Sequence, residues 1–286
     1  MKIVVTQINN EGKNEFEIKY NDVLKYRAKL PFISIDEPLN LEKIRKMKIL
    51  DLNDNEVYTT KYEYLENLKE EFIPLKYLVT GSQKFNQLLF ISNNNTIKIY
   101  HETNELFYSK NVIEINNKKY FCYSIEDGYI RHFPIYDGET QVGEALKSNV
   151  VINEKDEYWC YLKEGYESLS DGIVALLLYL DRGEYSSSYV VMKSYALYKK
   201  YSYDKTNKHY DKEWVKNNFG DEFYIKVNND AKLVKEKLKL KNYIKTQKEL
   251  WNSMSSKEKR IVKFVLICPF VLIVIIWIII MLTIIF

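Results

Sequence analysis

The sequence predicts a mainly β fold, an antiparallel sheet or barrel closed around a hydrophobic helix, followed by a partly helical linker and one C-terminal transmembrane helix. Three observations predict this fold. Pairs of β-prone runs recur on both sides of short turn-forming segments, and residues 173–180 are all apolar. Residues 264–286 form a second apolar run without a charged residue.

The paired runs predict β-hairpins. The pairs are 47–51 with 56–60, 88–92 with 96–101, 110–115 with 119–125, and 130–136 with 141–145. Between them lie segments rich in Asn, Asp and Gly, the residues that best tolerate the left-handed backbone of tight turns. Hairpins repeated at this spacing indicate a meandering antiparallel sheet or barrel.

The run at 173–180 predicts a short helix that is apolar on every face. Ser170 or Asp171 is positioned to cap its start, and Gly183 to close its end. It is too short to cross a bilayer, so apolar neighbours must surround it. After a series of hairpins, it fits best as the plug of a barrel. For Asp181 and Arg182 at its end, a local ion pair or cap is favoured over a binding role.

Strand–turn–strand units and the closing stretch resemble the tubby C-terminal-like superfamily, which groups tubby, phospholipid scramblase and LURP-one-related domains. The units are residues 49–57 and 135–142, and the closing stretch is 156–162 followed by 170–182. The resemblance covers residues from about 10 to 190. It implies a barrel of about twelve strands around a central hydrophobic helix. The basic phosphoinositide-binding residues of tubby have no matched positions here, and about a hundred residues follow the helix.

The C-terminal run predicts a membrane anchor. At about 1.5 Å per residue, residues 264–286 span roughly 35 Å, enough for a hydrocarbon core of about 30 Å. Lys257, Lys259, Arg260 and Lys263 precede the run and no charge follows it. Because basic residues stay on the cytoplasmic side, a single-pass protein with its soluble domain in the cytoplasm is expected.

The predicted domains are therefore a barrel domain at 1–190, a basic linker at 191–263 and an anchor at 264–286. Within the linker, 221–227 is interpreted as one more strand and 231–251 as a basic helix. That helix is either a solvated stalk or a helix lying on an anionic membrane surface. The candidate lipid-surface residues are Lys235, Lys239, Lys245, Lys257, Lys259, Arg260 and Lys263.

An aromatic and basic segment begins the linker. Its residues are Tyr195, Tyr198, Lys199, Lys200, Tyr201 and Tyr203. It suits a membrane interface or single-stranded nucleic acid, but ordinary packing of an amphipathic helix explains it best. The chain has 42 basic and 39 acidic residues, a balance that argues against nucleic-acid binding.

The sequence contains no recognisable catalytic, cofactor-binding or metal-binding motif. His101, His132 and His209 are expected in surface or structural roles. Cys122 and Cys160 are either two reduced, buried thiols, the favoured interpretation, or a disulfide. Cys268 lies in the predicted anchor.

The leading hypothesis is a non-enzymatic, tail-anchored barrel that binds a lipid headgroup or a protein partner, with no cofactor. Scramblase-like lipid translocation and an enzyme with an unrecognised site are the alternatives. Translocation is disfavoured because the anchor offers only Cys268 and Thr283 as polar groups.

Overall fold

Side chains alternate between buried and accessible along the strands, as expected of a sheet with one face on a core. Phe16 and Ile18 are buried and Glu17 between them is not, and Ile97 and Ile99 repeat the pattern around Lys98. The fold is that of a computed structural model. It describes residues 1–10, 13–30, 46–73, 76–105, 108–152, 156–185, 195–197, 200–202, 209–238, 252 and 259.

The described residues form sixteen strands, five α-helices and a 3-10 turn. The strands are β1 Lys2–Asn10, β2 Lys13–Tyr20, β3 Val23–Leu30, β4 Lys48–Leu50, β5 Glu56–Tyr62, β6 Gln83–Ile91, β7 Thr96–Glu105, β8 Tyr108–Ile115, β9 Lys118–Cys122, β10 Ile125–Gly128, β11 Ile130–Asp137, β12 Thr140–Ser148, β13 Val150–Ile152, β14 Glu157–Leu162, β15 Tyr195–Leu197 and β16 Lys200–Ser202. The helices are α1 Tyr64–Phe72, α2 Tyr77–Thr80, α3 Ser170–Tyr185, α4 Trp214–Phe219 and α5 Glu222–Lys237, and the 3-10 turn is Glu167–Leu169.

Twelve of these strands close into an antiparallel barrel. Around the ring, β12 is followed by β14, then by β1 to β9 in sequence order, and last by β11. The pairing of β11 with β12 closes the ring. β10 lies outside the ring, between β11 and β16. The predicted hairpins are confirmed: they correspond to β4–β5, β6–β7, β8–β9 and β11–β12.

Helix α3 fills the barrel, as its apolarity predicts. Its residues Ile173 to Leu178 are 0–1% exposed, and they share one core cluster with the inward-facing side chains of the strands. Helix and wall approach closely at Gly172, where an added Cβ would lie 3.0 Å from Cγ2 of Ile113. The barrel interior is therefore a packed core.

Tyrosine hydroxyls of the barrel wall hold α3 near both ends. The Tyr20 and Tyr58 hydroxyls donate to the Asp171 carboxylate at 2.8 and 3.0 Å, and burial together with this carboxylate raises the pKa of both phenols. The buried Tyr158 hydroxyl donates to Asp181 at 2.9 Å. Asp181 thus has the structural role that the sequence favours.

The predicted helix end at Gly183 is wrong, because α3 continues to Tyr185. A glycine in a helix interior costs only about 1 kcal/mol relative to alanine, which an otherwise well-packed helix tolerates. The side chain of Arg182 lies outside the described residues.

A helical layer covers part of the outer barrel surface. Trp214 of α4 and Phe223 of α5 join an apolar cluster with Val4, Leu146 and Trp159 on the outer faces of the strands. The rings of Trp159 and Phe223 are 5.5 Å apart. One compact unit extends from Met1 to Val234, and residues 235–286 form a second unit.

The predicted strand at 221–227 is wrong, because these residues enter α5. Phe223, Val227, Ala231 and Val234 are buried, at spacings of four, four and three residues. This is the period of one helix face, and it extends past the window in which a strand was predicted.

No helix among the described residues is long and apolar enough to span a membrane. The predicted anchor, residues 264–286, lies outside the described residues. So do residues 239–251 of the predicted basic helix.

Candidate functional site

Helices α1 and α2 carry an exposed apolar surface between β5 and β6. Leu65, Leu68 and Phe72 occupy one face of α1, at i, i+3 and i+7, with 71, 52 and 82% of each residue exposed. Ile73, Leu78 and Val79, which follow α1 in the sequence, are also exposed. We call these six residues the apolar surface. Clusters of exposed apolar side chains commonly mark sites of protein or membrane contact.

Helix α1 has its orientation set by polar contacts on its opposite face. Asn67 is buried, and its amide nitrogen donates to the carbonyl oxygens of Glu63 and Gln87 at 2.8 and 3.1 Å. In return, the Gln87 backbone N–H donates to the Asn67 side-chain oxygen at 2.8 Å. The helix thus turns an asparagine inward and leucines outward, which reverses the usual pattern of a helix on a globular core.

A β-bulge makes the backbone of Gln87 available for these contacts. The pairing of β6 with β7 shifts register between Phe85 and Leu88, and Asn86 has a positive φ of 53°. Residues in a bulge leave the regular hydrogen-bond ladder, so their backbone groups need other partners. Asn67 accepts from the Gln87 N–H, and it shares the Gln87 carbonyl oxygen with the Glu63 N–H, which donates at 3.1 Å. These contacts fix α1 to the barrel wall.

Further polar contacts hold the end of α1 and pair the charges beside the apolar surface. The Gln83 side-chain nitrogen donates to the carbonyl oxygen of Glu70 at 2.7 Å. Lys69 pairs with Glu66 at 2.7 Å and Lys76 with Glu70 at 3.0 Å. The rim of the apolar surface therefore carries paired charges of both signs, together with the exposed carboxylate of Glu71.

A second candidate, a buried polar cluster, lies between the barrel and residue 210. Glu144 of β12 is 0% exposed, and its carboxylate is 2.7 Å from Nδ1 of His132 on β11. It also accepts hydrogen bonds from Gln141 at 3.2 Å and from the Tyr210 hydroxyl at 3.3 Å. The rings of His132 and Tyr224 are 6.3 Å apart.

Burial controls protonation in this polar cluster. It raises the pKa of Glu144, while hydrogen bonds from His132, Tyr210 and Gln141 oppose part of the rise. Burial and the nearby Glu144 carboxylate raise the pKa of Tyr210 and of Tyr224. Such a group of acid, imidazole and phenols is chemically able to exchange protons, but a fully buried Glu144 offers no surface to a substrate. Its evident role is to join β12 to the segment at residue 210.

The predicted cysteine state is confirmed, since Cys122 and Cys160 are free and buried. Burial also raises the pKa of the Cys160 thiol, which keeps it protonated and unreactive. His101 lies 3.4 Å from the Asn111 side-chain oxygen, and His209 is exposed. Among the residues described, no group of three or more His, Cys, Asp or Glu side chains is placed to hold a metal ion.

Few of the predicted lipid-surface residues fall in the described part of the chain. Lys235 is exposed in the last turn of α5, and the Lys259 ammonium donates to the carbonyl oxygen of Asn252 at 3.5 Å. The candidates outside the described residues are Lys239, Lys245, Lys257, Arg260 and Lys263.

The described residues of the aromatic and basic segment form two short strands, β15 and β16, and not the amphipathic helix that the sequence pattern favours. β15 pairs with β13, and β16 pairs with β10. Tyr201 of β16 is exposed, whereas Tyr198, Lys199 and Tyr203 lie outside the described residues.

Neither candidate site is evident from the sequence. Leu65, Leu68 and Phe72 have helical spacing, but that spacing alone would place them on a core. Glu144 and His132 carry no motif, because they meet across the β11–β12 pair, where Glu144 faces Pro134 and His132 faces Leu146.

Residues 5–160 match the family described as a domain of unknown function, DUF4221, over more than half of the chain. This chain belongs to that family. The DUF4221 match begins in β1 and ends in β14, so it includes all twelve ring strands, the apolar surface and Glu144, and stops before α3. No curated protein and no solved structure matches the chain.

Proposed function

We propose that this DUF4221 protein is a tail-anchored, single-pass membrane protein whose barrel is a non-enzymatic binding module on the cytoplasmic side. The observation that carries the proposal is the uncharged apolar run at 264–286, with Lys257, Lys259, Arg260 and Lys263 immediately before it. The barrel binds a lipid headgroup or a protein partner, and nucleic acid is not its ligand.

Membership of the tubby C-terminal-like superfamily is part of the proposal. A closed ring of twelve antiparallel strands around an apolar helix supports it, because the resemblance implies this architecture. The chain differs in carrying two further helices, α4 and α5, after the central helix. A non-enzymatic role is supported by the complete burial of Glu144, the acid of the polar cluster.

Removal of the anchor tests the membrane assignment. A variant truncated after Lys263 should appear in the soluble fraction, because it lacks the segment long enough to cross the hydrocarbon core. The full chain should stay with membranes through carbonate extraction, and protease on the cytoplasmic side should digest the barrel. A truncated variant that still resists carbonate extraction contradicts the anchor.

The lysines of the basic linker are expected to add a contact with anionic lipid. Each lysine close to an anionic surface contributes about 1 kcal/mol. That attraction falls off within a Debye length of about 8–10 Å. The variant truncated after Lys263 should therefore float with anionic vesicles at low salt, bind neutral vesicles less, and detach as salt rises.

Charge reversal locates this contact. Changing Lys235, Lys239 and Lys245 to Glu should abolish flotation while the barrel stays folded. Reversal of the exposed barrel lysines Lys25, Lys29 and Lys61 makes the same charge change and should leave flotation intact. Flotation that survives the first reversal but not the second would place the anionic-lipid contact on the barrel.

A further inference from the structure

We propose that the apolar surface of α1 and α2 inserts into the interface of the lipid bilayer, giving the barrel its own membrane contact. The inference rests on the proposed function, because the anchor brings the domain to the bilayer. Leu65, Leu68 and Phe72 lie on one helix face, and Leu78 and Val79 follow within seven residues of Phe72. Apolar side chains presented by a surface helix suit the boundary between headgroups and acyl chains.

The outward direction of these side chains is fixed by the barrel. Rotating α1 to bury its leucines would remove the two hydrogen bonds that join the Asn67 side chain to the backbone of Gln87 on β6. The Gln87 N–H lies in the bulge of the β6–β7 pair and would lose the Asn67 oxygen as its partner, whereas the Gln87 carbonyl oxygen also accepts from the Glu63 N–H at 3.1 Å. The barrel therefore holds an apolar helix face toward its surroundings, ready for contact.

The charges around the apolar surface favour an interface that is not selective for anionic lipid. Lys69 and Lys76 are paired with Glu66 and Glu70, and Lys61 lies 3.9 Å from Glu63. Three paired lysines and the exposed Glu71 leave no basic excess to attract anionic lipid, so burial of apolar side chains provides the contact. In the anchored full chain, contact through this surface should therefore persist on neutral lipid and at high salt, unlike binding of the truncated variant through the linker lysines.

The length of chain before the anchor keeps the barrel within reach of the bilayer. Residues 239–263 separate Leu238, the residue after α5, from the predicted span. As a helix they would cover about 38 Å, and fully extended about 85 Å. A domain of this size has a radius of gyration of about 17 Å. Tethering at this distance gives a high effective concentration, so a modest apolar contact is enough to seat the domain.

Site-directed nitroxide labels on the full chain test the insertion. Cys268 is first replaced by Ser, which leaves only the buried Cys122 and Cys160. A label is then attached at Leu68→Cys or Phe72→Cys. Val23→Cys is the matched control, because Val23 is also an exposed apolar residue but lies at the start of β3. Each protein is reconstituted in neutral phosphatidylcholine vesicles and recovered by flotation.

Collision rates with oxygen, which concentrates in the bilayer, and with a water-soluble nickel chelate report the position of each label. We expect the oxygen-to-nickel ratio to be several-fold higher at positions 68 and 72 than at position 23, at low and at high salt. Equal ratios at all three positions in floated vesicles overturn the insertion while leaving the anchor intact. A chain that does not float contradicts the anchor instead.

A second copy of the chain as the occupant gives a different signal. Labels at position 68 would then broaden one another, and dilution with unlabelled chain would sharpen the spectrum. This result overturns the lipid assignment. Water-exposed, unbroadened labels in vesicles holding no other protein also overturn it, and they direct the search to a protein partner.

Discussion

Replacing Leu177 by Asp should abolish the cooperative unfolding transition of the barrel. Leu177 is 0% exposed in α3, in contact with the packed interior of the ring. A carboxylate there must either remain charged without a partner or take up a proton, and either outcome costs several kcal/mol. A domain is stable by only about 5–15 kcal/mol. The loss should be visible in chemical denaturation of the variant truncated after Lys263.

The matched control is Leu65→Asp, which makes the same substitution on the exposed face of α1. It should leave the unfolding midpoint almost unchanged, because its carboxylate remains in water. If Leu177→Asp unfolds like the wild-type protein, α3 does not form the core of the barrel.

Glu144→Ala should destabilise the folded domain by about 1–3 kcal/mol for each donor left without its acceptor, since it removes the shared acceptor of a buried hydrogen-bond network. The substitution removes the acceptor used by His132, Gln141 and Tyr210. His132 and Gln141 would be left buried without this partner, and the half-buried Tyr210 would lose it as well. Denaturant titration of the truncated variant measures the change in the free energy of unfolding. A change below about 1 kcal/mol would mean that water replaces the carboxylate, and that the cluster is open to solvent.

The pH dependence of the Glu144→Gln variant tests the protonation of the same group. Burial raises the pKa of Glu144 above its ordinary 4.5, so the folded state binds the proton more tightly than the unfolded state. The stability that this proton contributes is complete below about pH 4.5 and is lost as pH rises through the folded pKa. Glutamine does not titrate. The free energy of unfolding of the wild type, minus that of Glu144→Gln, should therefore fall as pH rises above 4.5, and a rise would contradict the burial effect.

The orientation of α1 shows a limit of sequence patterns. A helical spacing of Leu65, Leu68 and Phe72 indicates that these residues share a face, but it does not say whether that face meets protein, lipid or water. The answer depends on the bulge at Gln87, which is 20 residues away from Asn67 along the chain. The predicted strand at 221–227 is wrong for a related reason, because the apolar pattern of so short a segment fits a strand and a helix equally well. Only the burial of Ala231 and Val234 beyond it shows that the period is helical.

The sequence by itself determined the local elements: the Asn- and Asp-rich turns select hairpins, and the apolar run at 173–180 requires an enclosed helix. These signals lie within a few residues and depend on backbone preference and side-chain period. Only the tertiary structure decided how the elements combine. It closed the ring through β14, which pairs with β1 about 155 residues earlier, joined Glu144 to His132 across two strands, and turned α1 outward. Each of these three features depends on contacts between residues that are distant along the chain. Such contacts leave no periodic pattern in a single sequence.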